Sequence, residues 1–405
     1  MNFKPANQIQ DLQYFGEFGG VNPSISDSST YTFLSAKTMF DTFEGNADGC
    51  YLYSRHSSPS NLYLSEALSA MEDTEAATVT ASGMGAITAV LLQLCGSGDH
   101  IVSSRTIYGG TYAFLKNFTP RFNIKASFID FTDLDAVEAS IKSNTKVLYC
   151  ESVSNPLLEI ADITALATLA KKHQLKLIVD NTFSPLSISP ARLGADVVIH
   201  SLTKFINGSS DTVGGVICGT QAFIDNLRNI NDGAAMLFGA TMDSLRSASV
   251  LKNLRTLHLR IQQHSKNAMY LAEQFERDGI KTVYPGLKSH LSHDLFNQMM
   301  NFEYGYGGLL TVDVGTLKNA NLLMELMQQE NLGYLAVSLG FYKTLFSAPG
   351  TSTSSEIPED EQEAMGLSEG LIRFSIGLDA DIERTYKLMR NCMVKLNLLD
   401  EAVVV

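Results

Sequence analysis

The sequence predicts an α/β protein with a mostly parallel central sheet and a smaller α+β region after it. Three observations carry this. Seven short β-branched runs recur between residues 76 and 219 and read as near-continuous apolar strands. Helix-length segments separate them, and apolar strands alternating with helices indicate a sheet covered on both faces. After Gly219 the rhythm changes to one long helical pattern followed by sparser strand candidates.

In chain order, the first 60 or so residues lack clear periodicity and read as an N-terminal arm, 1–60. A domain over 61–243 then carries the runs "AATVTAS", "DHIVSS", "KASFID", "TKVLYCES", "LKLIVDN", "DVVIHS" and "GGVICG", with helices expected near Met84 to Leu94 and Ile163 to His173. A C-terminal domain, 244–405, opens with a helical pattern from Ser244 to Arg277. Strands are expected at "GLLTVDV" and "LIRFSIG", and helices around Asn319 to Gln329 and Asp381 to Leu398. The Ser/Thr-rich stretch 347–366 reads as a polar loop.

Bulk composition narrows the class. At 405 residues the chain exceeds what one core usually organises. Its net charge of −13 argues against nucleic acid or an anionic membrane as a partner. Five widely spaced cysteines suggest neither a disulfide framework nor a metal site, and they fit a reducing cytoplasm. The opening "MNFKPANQIQD" has no apolar core of a secretory signal, and the apolar stretch from Ile87 to Leu94 is too short to span a bilayer. His290 and His293 have metal-like spacing without a completing ligand, so no metal is expected and they read as exposed loop histidines. Met299 and Met300 read as core fillers.

Candidate functional groups collect where strands end, since ligands in open α/β sheets bind beyond the carboxyl ends. Ser82, Gly83 and Met84 stand just before a helix, whose free N–H groups favour an anion, although small residues there are more often simple packing. Asp180 directly follows a buried strand, where an isolated carboxylate reads first as a cap or turn residue. Asn155 precedes a proline and equally suits a turn. Lys204 follows the strand "DVVIHS" and is flanked by Ser201 and Thr203. Together the set suits pyridoxal phosphate. That cofactor needs a lysine for covalent attachment, an acid beside its pyridinium nitrogen and a phosphate cup. Lys204 follows Asp180 by 24 residues, about one strand–loop–strand unit, so both can reach one pocket.

From "YLYSRHSSP" to "LIRFSIGLD" the chain resembles the Cys/Met-metabolism family of pyridoxal-phosphate enzymes, of aspartate-aminotransferase-like fold. "YSRH", "YGYGGLL", "AVSLGFYKTL" and the "GTSTSSE…GL…IRFSIG" ending are similar to its methionine γ-lyases, particularly the plant-type branch. The resemblance implies that Lys204 carries the cofactor, that Asp180 pairs with the pyridinium, and that Tyr108 stacks on the ring and serves the γ-leaving group. It implies that Ser82, Gly83, Met84, Ser201 and Thr203 hold the phosphate. Tyr53 and Arg55 would reach the phosphate of a neighbouring subunit, and Asn155, Ser338 and Arg373 would position the substrate carboxylate. For Arg373 the alternative is a strand residue paired with an acid, and the bidentate fit of guanidinium to carboxylate favours the functional reading.

Gly110 follows the "YG" pair where many bacterial methionine γ-lyases have cysteine, which leaves the choice of sulfur substrate open. α,γ-Elimination of methionine, γ-replacement on an activated homoserine, and cystathionine or homocysteine γ-lysis share all these residues. A binding protein without catalysis would need neither Tyr108 nor Arg373. The resemblance further implies a cytoplasmic homotetramer, a dimer of dimers with shared sites, acting on a small sulfur amino acid.

Overall fold

The computed structural model describes residues 3–47, 49–352 and 357–400. All seven runs form strands: β1 (Ala76–Thr80), β2 (His100–Ser104), β3 (Lys125–Ile129), β4 (Thr145–Glu151), β5 (Lys176–Asp180), β6 (Val197–Ser201) and β7 (Gly215–Gly219). They make one sheet in the order β1-β7-β6-β5-β4-β2-β3. β2 to β6 pair parallel, whereas β7 lies antiparallel between β1 and β6. Antiparallel neighbours need no crossover helix, and β6 reaches β7 through residues 202–214 alone. That connection carries Lys204 and places it at the carboxyl end of β6.

Side-chain alternation splits the sheet between two apolar layers. Leu148, Val179, Val198 and Val216 face Leu64 and Leu68 of the helix Pro59–Glu72. Val147, Ile178, Ile199 and Ile217 face Ala86, Ile87 and Val90 of the helix Gly83–Leu94. Each Leu or Ile so enclosed contributes roughly 1.5–3 kcal/mol relative to exposure, which fixes register because a one-residue slip would invert every side chain.

A second sheet holds β8 (Lys281–Val283), β9 (Leu309–Asp313), β10 (Tyr334–Leu335), β11 (Leu345–Ser347) and β12 (Leu371–Ser375), in the order β10-β11-β12-β9-β8. Leu310, Val312, Phe346, Ile372 and Phe374 share a core with Leu271, Phe275, Leu323 and Met389. β8, β10 and β11 are two or three residues long, too short to show a period in the sequence.

Several expectations need correction. The pattern from Ser244 to Arg277 is two helices, Ser244–Leu254 and Leu257–Arg277. At the break Thr256 Oγ1 donates to the Asn253 carbonyl at 3.1 Å and Arg260 Nη2 does so at 3.0 Å, replacing the helical ladder there. The arm contains helices Pro5–Asp11 and Ala36–Phe43, and the helix Pro59–Glu72 begins just inside it. The stretch 347–366 is not loop throughout: it includes a short helix, Glu359–Ala364, while residues 353–356 lie outside the described ones. His290 and His293 are half-buried. Their ring nitrogens lie 3.1 Å from the Leu158 carbonyl and 2.9 Å from the Pro285 carbonyl. Met299 and Met300 are buried in the first core.

Candidate active site

At the carboxyl ends of β4, β5 and β6 lies a cavity of about 370 Å³. Ser82, Gly83, Met84, Tyr108, Asn155, Asp180, Ser201, Thr203, Lys204 and Arg373 line it. Segments spread over nearly 300 residues therefore converge as expected.

Asp180 ends β5 and is buried; Thr182 donates to its Oδ1 through the backbone N–H at 3.0 Å and the hydroxyl at 2.5 Å. Burial nonetheless raises its pKa, against those hydrogen bonds and the nearby His200. Beside it in register, Glu151 ends β4. Its two oxygens accept the backbone N–H groups of Tyr108 at 2.6 Å and Asn155 at 3.0 Å. Burial, then the charge of Asp180, hold Glu151 well above the usual carboxylate range.

Lys204 is half-buried, and its Nζ donates to Ser338 Oγ at 3.2 Å. Burial, then the positive charge of Arg373, lower its pKa to about 8. Arg373, on β12, is 2% exposed. Its Nη1 donates to Asn155 Oδ1 at 3.0 Å and its Nη2 to the Ser338 carbonyl at 3.3 Å, while Nε has no partner among the described residues. Burial brings this guanidinium down to about 10.

The opposite wall is the start of the helix Gly83–Leu94. Ser82 caps it, its hydroxyl accepting Gly85 N–H at 3.0 Å. A Cβ on Gly83 would stand 2.8 Å from Ser201 Cβ, so only glycine lets the turn approach β6 this closely. Ser201 N–H donates to Thr182 Oγ1 at 2.8 Å, and Thr203 Oγ1 accepts Gly214 N–H at 3.1 Å. Tyr108 stands at the mouth, 43% exposed.

Four expected residues lie outside the lining. Ser338 falls between Val337 and Leu339, which do line it, and meets the site through its bonds with Lys204 and Arg373. Gly110 is packed under Tyr108: a Cβ there would come within 2.5 Å of the Tyr108 ring. Tyr53 is exposed, and the Arg55 guanidinium lies 5.9 Å from its ring centre and donates to the Met236 carbonyl at 3.0 Å. The cavity also has lining residues that sequence reasoning missed, among them Glu151, Thr182, Phe183, Val213 and Leu339. For Glu151 the signal was available, since it ends its apolar run as Asp180 ends the next one.

These residues fit pyridoxal phosphate. Lys204 offers an amine and Asp180 a carboxylate matched to a cationic ring nitrogen. The capped helix start and its glycine form a cup for an anion. Arg373 brings a guanidinium to the cavity wall, matched to a carboxylate.

The family of Cys/Met metabolism PLP-dependent enzymes matches residues 7–386, and the chain belongs to it. It is a pyridoxal-phosphate-dependent enzyme of the aspartate-aminotransferase-like fold. Among its relatives is a methionine gamma-lyase of Arabidopsis thaliana, 44% identical over 97% of this chain and 90% of that protein. An O-succinylhomoserine sulfhydrylase of Pseudomonas aeruginosa is 36% identical over 90% of this chain and 88% of that one. A solved structure of a putative O-acetylhomoserine (thiol)-lyase from Campylobacter jejuni, containing N'-pyridoxyl-lysine-5'-monophosphate, matches with a TM-score of 0.88 at 29% identity. That match covers 96% of this chain and all of the other.

Proposed function

We propose that the protein is an L-methionine γ-lyase, converting methionine and water to methanethiol, 2-oxobutanoate and ammonia. The observation that carries this is one cavity joining a lysine of lowered pKa, a buried arginine and a tyrosine at the mouth. The 44% identity to a named methionine gamma-lyase supports the choice of reaction.

Pyridoxal phosphate, when bound, supplies a sink for electrons released at the substrate's α-carbon. Arg373, steadied by Asn155 and the Ser338 carbonyl, binds the substrate carboxylate. Lys204 takes the Cα proton, and a pKa near 8 leaves a usable fraction of free amine at neutral pH. Asp180 holds a proton on the ring nitrogen by placing a negative charge against it. Lys204, once it has passed the first proton on, takes a second from Cβ, and the Cγ–S bond then breaks with its electron pair going to sulfur. Tyr108 Oη delivers the proton that completes the thiol.

Purified protein should release 2-oxobutanoate and methanethiol from methionine alone. A second reading, γ-replacement, is favoured by the sulfhydrylase relative. Product formed only from O-acyl-homoserine plus sulfide, with methionine inert, would select it and overturn the first.

The protein further reads as a cytoplasmic homotetramer built from dimers with shared sites. Support comes from the arm, where Phe18, Leu34 and Phe40 are exposed, and from cysteines that are all unpaired. No helix among the described residues is long and apolar enough to cross a membrane.

A further inference from the structure

Glu151 is the most constrained carboxylate of the cavity that the reaction above does not use. It is 7% exposed, yet among the described residues no lysine, arginine or histidine forms an ion pair with it. Such burial is costly unless hydrogen bonds compensate. Both oxygens are engaged by backbone amides, and by amides of different segments: Tyr108 at the start of a short helix after β2, and Asn155 in the turn after β4. An ionised carboxylate meets two such donors, because both its oxygens only accept, and the two amides oppose the rise that burial and Asp180 cause. Glutamine has the same shape but would turn an NH2 donor toward one of the two N–H groups.

The two amides belong to residues with separate tasks. Tyr108 stands at the cavity mouth with its side chain 43% exposed, so its placement depends on its backbone. Asn155 holds Arg373 through Oδ1. One buried carboxylate thus links the tyrosine side of the cavity to the carboxylate-binding side.

We propose that Glu151 is a positioning residue that clips the backbones of Tyr108 and Asn155 together and so sets the leaving-group tyrosine and the Asn155–Arg373 pair in register with each other. Glu151 transfers no proton in this role and acts through the two backbones it holds. The assignment of tasks to Tyr108 and Arg373 rests on the proposed function; the clip does not.

Amide hydrogen exchange on the holoenzyme and on the cofactor-stripped chain tests it. In Glu151→Gln, exchange at the amides of Tyr108 and Asn155 should rise by roughly tenfold, the loss of about one hydrogen bond. Amides of β5 and β12 should keep their protection. In Asn155→Ala the backbone N–H is retained, so Tyr108 should stay protected. Turnover in Glu151→Gln should fall roughly tenfold or more while the cofactor remains bound, since small misplacement of reacting groups is costly. Should the glutamine variant not accumulate, Glu151→Asp keeps the carboxyl group but shortens the reach, and at least one of the two amides should lose protection. Unchanged exchange at both amides, or acceleration spread evenly through β4 and β5, would overturn the proposal. Exchange is read without substrate, so failure of the parent enzyme to turn over methionine would count against the function alone.

Discussion

Arg373 Nη1 donates to Asn155 Oδ1 at 3.0 Å, and this bond ties β12 of the second sheet to the turn after β4 of the first. The guanidinium is thereby fixed at the cavity wall. Lysine at this position would keep the charge but lose the planar fork. Arg373→Lys should raise KM for the amino acid and lower kcat/KM by about tenfold to a hundredfold, equivalent to ~1.5–3 kcal/mol for a hydrogen bond to a charged group. Steady-state kinetics with cofactor saturating would check this; an unchanged KM would remove Arg373 from the carboxylate site.

Lys204 makes the cofactor-free chain less stable below its own titration. Its pKa falls from 10.5 in the unfolded chain to about 8 in the folded one. Between those values the unfolded chain binds the extra proton, so stability rises with pH across that window. Below pH 8 both states are protonated and the full cost of burying the charge remains, on the order of 1–3 kcal/mol for a half-buried group. Lys204→Met should therefore be more stable than the parent at pH 7, with the difference shrinking as pH approaches 10.5. Denaturant midpoints of the two cofactor-free proteins measure it. A difference independent of pH would mean that packing, not charge, is responsible.

The larger sheet was legible because most of its strands are near-continuous apolar runs of five to seven residues bounded by turn residues. Asp180 and Lys204 were legible because charge directly after such a run requires a reason. β8, β10 and β11 were not, since two or three residues carry no period. Glu151 ends its run as Asp180 does, but its task was hidden because its partners are backbone amides of residues 108 and 155, and a backbone donor leaves no mark in the sequence. The packing of Gly110 was hidden for a similar reason: it depends on where the Tyr108 ring folds back.

That packing changes what a cysteine at 110 would do. The first atom a side chain at 110 meets is in the Tyr108 ring, 2.5 Å from a Cβ placed there. The ring is at the free end of an exposed side chain and can move, so Gly110→Cys should fold. It should shift the ratio of methionine to cystathionine and homocysteine turnover by roughly threefold or more, about the effect of one altered apolar contact, while cofactor affinity holds. A substrate panel with cofactor titration checks both. Equal ratios would place selectivity elsewhere.

The last prediction concerns Arg55. It lies outside the cavity of its own chain, on a segment next to the exposed Tyr53, and its guanidinium rests on the Met236 carbonyl. An arginine with only one carbonyl bond retains donors for an anion brought by a second copy. If it completes the partner's phosphate cup, Arg55→Ala and Lys204→Ala chains, each inactive alone, should complement after mixed unfolding and refolding. A mixed dimer then has one site with both lesions and one with neither. Random pairing makes half the dimers mixed, so roughly a quarter of full activity should return. If Arg55 instead serves its own chain, every site carries one lesion and nothing returns. Mixed dimers can be counted by tagging one chain, so an inactive mixture in which they are present would refute the shared site.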